Sequence, residues 1–155
     1  MYILLIGCTG FLGQSIVHHL LIHTKYKIFI AIRPKNNKTI HQRLYAILNE
    51  FNIVYCQSRI IPINIIYDKE RNIVINSKDK LLLQKKTNVI INALADVKFN
   101  RPIRKAVLNN TVTALQWMKF LYSCRKPKQY IYVSSAFVNF HIQDSGVIKE
   151  RIYEK

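Results

Sequence analysis

Three glycines, Gly7, Gly10 and Gly13, recur every third residue in "LLIGCTGFLGQSI", after an apolar run and before residues that repeat at helical spacing. Glycines placed this way serve phosphate chemistry. The first lets the chain turn sharply, the second lets backbone come close to a pyrophosphate, and the third lets a helix pack tightly on the preceding strand. A helix beginning there offers unpaired N–H groups and a positive partial charge to the phosphates. The chain has only four glycines and three are in this loop, so the spacing is a placed feature.

In a dinucleotide-binding fold an acid about 20 residues after the last of these glycines binds the adenosine ribose diol. Here that position is Arg33, in "IRPK" with Lys35, and no carboxylate is present to repel a 2′-phosphate. The pair favours NADP over NAD and makes NADPH the expected cofactor. The net charge of +16, from 24 Lys and Arg against 8 Asp and Glu, suits polyanionic partners such as nucleic acid, an anionic membrane surface or a polyphosphate nucleotide. The basic residues are dispersed, and no strand alternates aromatic with basic residues, so no specific nucleic-acid partner is expected. His19 and His23 lie one helical turn apart, but no nearby carboxylate or cysteine completes a ligand set, so no metal is expected.

The surrounding elements are legible from their periodicity. Residues 2–6 and 27–32 read as strands buried on both faces, the second closed by Pro34, Asn36 and Asn37. Ile16, Val17, Leu20 and Leu21 mark one helix; Ile40, Leu44, Ile47, Leu48 and Phe51 form the stripe of another. Residues 59–66 predict a third strand, interrupted by Pro62, 81–84 a short helix, and 88–94 a fourth strand. A long helix from Pro102 to about Cys124 and a fifth strand over 130–138 complete the order. Strands alternating with helices predict α/β architecture: a doubly wound parallel sheet of the Rossmann-like NAD(P)-binding kind, in a single domain over residues 1–155. Half the residues are hydrophobic, enough for a core, and no apolar run reaches the roughly 18 residues of a membrane span. The N-terminus lacks a signal-peptide pattern, and Cys8, Cys56 and Cys124 are odd in number and widely spaced. Reduced thiols and a cytoplasmic location are the expectation.

With "GCTGFLG", "IRPK", "ADVKFN" and "YVSSAFVN" all in place, the chain resembles the alcohol-forming fatty acyl-CoA reductases of the extended short-chain dehydrogenase/reductase superfamily. The likeness runs from Leu4 to Tyr153. It implies that Thr9, Gly10, Phe11, Leu12 and Gly13 wrap the pyrophosphate, that Arg33 meets the 2′-phosphate, and that Asp68 hydrogen-bonds the adenine. It further implies that Ala93, Leu94 and Ala95 lie along the cofactor, that Asn110 is the structural and active-site asparagine, and that Ser135 orients the substrate carbonyl. Phe99 and Arg101 lie where such reductases begin their acyl site. The implied activity is NADPH-dependent reduction of long-chain fatty acyl-CoA to a fatty alcohol, at the cytosolic face of the peroxisome or endoplasmic reticulum.

The sequence departs from that pattern at several points. Ile6 replaces a threonine, Tyr67 a glycine, Leu94 an alanine, Asp96 a threonine, and Thr113 with Ala114 a Gly-Thr pair. The family's proton donor is a tyrosine acidified by a lysine four residues later, after the serine strand. Beyond Ser135 the only tyrosine is Tyr153, with no lysine four residues on; Tyr122 with Lys126 has the spacing but precedes the serine strand. The expectation is therefore a cofactor-binding half without the catalytic pair or the acyl-binding portion. The alternative is a non-catalytic NADP-binding or partner-binding module built on the same fold, joined to a partner chain.

Overall fold

The computed structural model describes residues 1–50 and 57–135. Strands β1 (Tyr2–Ile6) and β2 (Lys27–Ile32) fall where the apolar runs predict them, joined by helix α1 (Phe11–His23). Beyond β2, Asn36 and Asn37 both adopt positive φ, 53° and 56°, in a tight turn closed by hydrogen bonds between Lys35 and Lys38. Asparagine tolerates this left-handed pair better than most side chains. Helix α2 (Ile40–Glu50) then starts from a reciprocal cap: Gln42 N donates to Thr39 Oγ1 at 3.3 Å, and Thr39 N donates to Gln42 Oε1 at 2.8 Å.

The third predicted strand is divided. β3 (Ile60–Asn64) pairs with β2, while β4 (Ile66–Tyr67) leaves the sheet and pairs antiparallel with β5 (Ile73–Val74). Pro62 is accommodated because β3 is an edge strand. The short helix expected at 81–84 is the ten-residue α3 (Ser77–Lys86), extended backward by Asn76, whose Oδ1 accepts from Asp79 N at 2.9 Å. β6 (Val89–Asn92) follows.

The predicted long helix is present but not uniform. α4 (Ile103–Ala106) passes through a π-helical turn, Val107–Val112, into α5 (Thr113–Tyr122). Thr113 supplies the reason: its N–H and its hydroxyl both bond the Leu108 carbonyl five residues back, the hydroxyl at 2.9 Å. β7 (Gln129–Tyr132) is shorter than the predicted 130–138, and residues 136–138 lie outside the described residues, as do Phe51, Cys56 and Tyr153.

The main sheet has the order β3-β2-β1-β6-β7, and all four pairings are parallel. Side chains alternate between its faces. Leu4, Ile6, Phe29 and Ile90 face Leu83 of α3 and Trp117 and Leu121 of α5. Leu5, Ile28 and Ile30 face Val17 of α1 and Leu44, Ile47 and Leu48 of α2. Each such side chain contributes about 1.5–3 kcal/mol by leaving water, so the central strands are held from both sides. The chain runs outward from β1 to β3, then crosses back to place β6 on β1's other side. The carboxyl ends of β1 and β6 therefore flank the point where connections diverge, the usual ligand crevice of such sheets.

Arg59 fixes the return from α1. Its guanidinium donates to four carbonyl oxygens, those of Leu20 (3.2 Å), Leu21 (3.0 Å), Thr24 (2.6 Å) and Tyr26 (3.2 Å). It gathers carbonyls at and just beyond the end of α1, of which that of Leu20 also accepts from Thr24 N and Oγ1. Arg59→Ala is expected to lower stability by roughly 2 kcal/mol in urea unfolding, and Arg59→Lys to restore only part of it, since an ammonium cannot reach four acceptors in a fork.

Candidate functional site

At the switch point the backbone of β1 meets that of β6 and α1 with no space for side chains. Gly7 has φ 87°, and a Cβ there would lie 2.6 Å from Ala93 C and 2.7 Å from Leu94 N. A Cβ on Gly13 would lie 2.1 Å from Gly7 O. Both glycines are demanded by the protein's own packing. Gly10 is not: its nearest neighbour would be Gly7 O at 3.4 Å, it is exposed, and it begins α1 without any side-chain cap. The first turn of α1 carries no acidic residue. The open cradle at Gly10 and the uncapped helix end fit a pyrophosphate, which would take N–H groups that no side chain caps among the described residues.

Thr9, Phe11 and Leu12 lie exposed on this loop, Phe11 almost completely so at 92 %. Cys8, in contrast, is buried, and burial pushes its thiol up to about 12, so it is a neutral packing residue beneath the loop.

A recess of about 100 Å³ beside the glycines is lined by Gly7, Thr9, Arg33, Lys35, Arg43, Tyr67 and Leu94. It shares Arg33 and Leu94 with a larger cleft of about 330 Å³, lined also by Arg71, Ala95, Asp96, Arg101 and Asn109. Six of the residues expected from sequence, Gly7, Thr9, Arg33, Lys35, Leu94 and Ala95, are thus brought together, and Ala93 presses its backbone on Gly7. Arg43 joins them from α2 and donates through Nη1 to the Arg33 carbonyl. Six cations, Arg33, Lys35, Arg43, Arg71, Lys98 and Arg101, line these two spaces, and the one carboxylate there, Asp96, is ion-paired with Arg101 at 2.9 Å.

Asp68 lies differently. Its Oδ1 accepts from Glu70 N at 2.9 Å and Asn72 N at 2.8 Å, and its Oδ2 accepts from Asn72 Nδ2 at 2.8 Å. The Asn72 side chain leads the hydrogen bonds that hold this carboxyl below its ordinary value. Asp68 therefore closes the β4–β5 turn, and it is outside the residues that line the two spaces.

Asn110 also has its carboxamide engaged. It accepts from Asp96 N at 2.7 Å and donates to Asp96 O at 3.1 Å, while Asn109 Nδ2 donates to Asp96 Oδ2 at 2.9 Å. The π-helical turn thereby places two consecutive asparagines against the loop after β6. Burial raises the Asp96 carboxyl, but hydrogen bonds from Lys98 N and Asn109, with the charge of Arg101, outweigh it and hold the group below its ordinary value. Asp96 is an anchored anion, not a proton donor. On the far side, Tyr130 OH donates to Ala114 O at 2.7 Å and accepts from Asn92 Nδ2 at 2.9 Å, tying β6 and β7 to α5. Ser135 is exposed three residues beyond β7.

Fold and site together define a doubly wound, Rossmann-like NAD(P)-binding fold. Residues 5–155 match the NAD-binding family described as Male sterility protein, and the chain belongs to that family. It is 32% identical over 161 residues to fatty acyl-CoA reductase 2 of Mus musculus, covering 97% of this chain and 30% of that protein. It is 28% identical over 145 residues to fatty acyl-CoA reductase 1 of Rattus norvegicus, covering 87% of this chain and 28% of that protein. The chain thus spans less than a third of the length of these relatives. Among solved structures, the fold resembles a thiolation-reductase di-domain of an archaeal non-ribosomal peptide synthetase, with a TM-score of 0.70, 23% identity, 94% of this chain and 31% of that one. It also resembles UDP-glucuronic acid 4-epimerase of Bacillus cereus, with a TM-score of 0.62, 21% identity, 97% of this chain and 44% of that one.

The three glycines differ in what they do, and substitution separates them. Gly13→Ala should lower the melting temperature, with a loss of about 1–3 kcal/mol, because backbone must move to admit the methyl. Gly10→Ala should leave stability within about 0.5 kcal/mol and weaken dinucleotide binding, read by thermal unfolding and by titration of the same samples.

Proposed function

We propose that this chain is the NADPH-binding region of an alcohol-forming fatty acyl-CoA reductase, whose substrate is a long-chain acyl-CoA. The observation that carries the cofactor choice is the cationic end of the cleft: Arg33, Lys35 and Arg43 line the recess beside the glycine loop, and no carboxylate lines it. A ribose 2′-phosphate is stabilised there, whereas a ribose diol lacks the acceptor carboxylate it needs. The fatty acyl-CoA reductases among the relatives support the substrate class.

In this reading Gly7, Gly10 and Gly13, with Thr9, Phe11 and Leu12, hold the pyrophosphate, and Arg33 and Lys35 hold the 2′-phosphate. Ala93, Leu94 and Ala95 form the wall along the cofactor. Asn110 keeps that wall in place through Asp96, and Asp68 acts by setting the β4–β5 turn. NADPH, when bound, supplies the hydride. Ser135 orients the carbonyl that receives it, by donating a hydrogen bond to its oxygen. The oxyanion then needs a proton, and no Tyr-x-x-x-Lys follows Ser135 in this sequence. The chain by itself therefore binds cofactor without turnover. Buried free thiols at Cys8 and Cys124 support a reducing, cytoplasmic setting.

Calorimetric titration tests the cofactor choice. The chain should bind NADPH at least roughly tenfold tighter than NADH, the size of effect expected of a charge-assisted contact, and Arg33→Ala should remove that preference while leaving NADH binding unchanged. Equal affinity for the two in the parent chain would contradict the reading, as would acyl-CoA-dependent NADPH oxidation by this chain contradict the absence of turnover.

A further inference from the structure

The β4–β5 hairpin carries a charged residue that no motif announces. Arg71 has φ 68°, a left-handed backbone that disfavours any residue with a Cβ. Its guanidinium carbon lies 4.5 Å from the centre of the Tyr67 ring, and that of Arg33 lies 5.7 Å from the same centre. Two guanidinium groups from separate segments therefore share one aromatic ring. The ring itself is fixed, because Tyr67 OH accepts from Nε1 of the fully buried Trp117 at 2.8 Å. Arg71 Nε also donates to Thr113 Oγ1, at 3.4 Å, the residue whose hydroxyl shapes the π-helical turn.

Both arginines line the cleft of about 330 Å³, and among the described residues neither forms an ion pair. Burial, and after it the like charge of Arg33, lower the Arg71 guanidinium from its ordinary value, against which Tyr67 and Asp96 act in the other direction. Cation–π attraction to Tyr67 offsets part of the repulsion. Two converging cations, with the one carboxylate of the cleft, Asp96, ion-paired to Arg101, make an arrangement that an anion between them would stabilise. A phosphomonoester suits it well: it is close to a dianion at neutral pH, and its three oxygens accept from guanidinium forks.

We propose that Arg71 is the second arm of a two-arginine clamp, with Arg33, for the 2′-phosphate of the NADP cofactor, and that Tyr67 is the partition that holds the arms apart. The clamp rests on the NADPH reading above and extends it to a residue outside the sequence motifs. It also gives a purpose to Tyr67, which stands where similar reductases carry glycine. Arg71 is a specificity residue: a ribose hydroxyl gains little from a second guanidinium, so NADH binding does not depend on it.

The test is calorimetric titration of NADPH, NADH and coenzyme A into the parent chain, Arg71→Gly and Arg71→Lys. Glycine suits φ 68°, and that relief offsets the lost contacts of Arg71 with Tyr67 and Thr113, so Arg71→Gly should fold with a ligand-free melting temperature close to the parent's. The expected result is that Arg71→Gly weakens NADPH roughly tenfold and leaves NADH within about twofold, with Arg71→Lys between. If the parent prefers NADPH and Arg71→Gly keeps the full preference, the clamp is overturned and the cofactor reading stands. If the parent binds NADPH and NADH alike, both are overturned. An equal loss of both dinucleotides would make Arg71 merely structural, and a loss confined to coenzyme A would assign it to another phosphate; either result overturns the clamp.

Discussion

The structure depends on one crossing of backbone, where Gly7 at the end of β1 lies against Ala93 and Leu94 at the end of β6 and beneath Gly13 of α1. Any side chain at Gly7 or Gly13 would force these segments apart by more than van der Waals contact allows. Because the crossing is closed, the helix end, the loop after β6 and the cationic end of β2 converge on one crevice. The sheet supplies the rigidity this needs, since β1 is hydrogen-bonded on both edges and covered on both faces.

The second ring of structure serves to hold the crevice wall. Asn110 and Asn109, brought forward by the π-helical turn, fix the loop after β6 through Asp96, and Asn92 fixes its start by accepting from Leu94 N at 3.1 Å. Tyr130 bridges Asn92 and Ala114, so β7 is tied to the same framework. The net charge of +16 is thereby given a local meaning: cations collect along the recess and the cleft at the end of the sheet, while many other lysines remain on solvated faces.

How much of this was legible in the sequence follows from physical range. β1 and β2 were readable to the residue because a strand buried on both faces must be continuously apolar. The glycine loop and Arg33 could be picked out because short, fixed spacing marks them, and the structure brings Gly7 and Arg33 to one recess. The β4–β5 hairpin was not, since strands of two residues leave no periodicity, and Asp68, read as an adenine ligand, turns its carboxylate into that hairpin. The π-helical turn was hidden because it depends on one hydroxyl, that of Thr113, bonding five residues back. Tyr67 could be marked as a departure from the family pattern, but its bond to Trp117, fifty residues away, belongs to tertiary structure alone.

The central claim, that the Gly7–Ala93 crossing forms the dinucleotide crevice, is tested most directly by amide chemical-shift mapping of the isotope-labelled chain during titration with NADPH. The account predicts that the shifted amides cluster in residues 7–13, at Arg33, and along 93–96, with those of α2 and α3 away from the cleft unmoved. Shifts centred instead on the open groove between the β4–β5 hairpin, α3 and α5, or none at saturating NADPH, would contradict it.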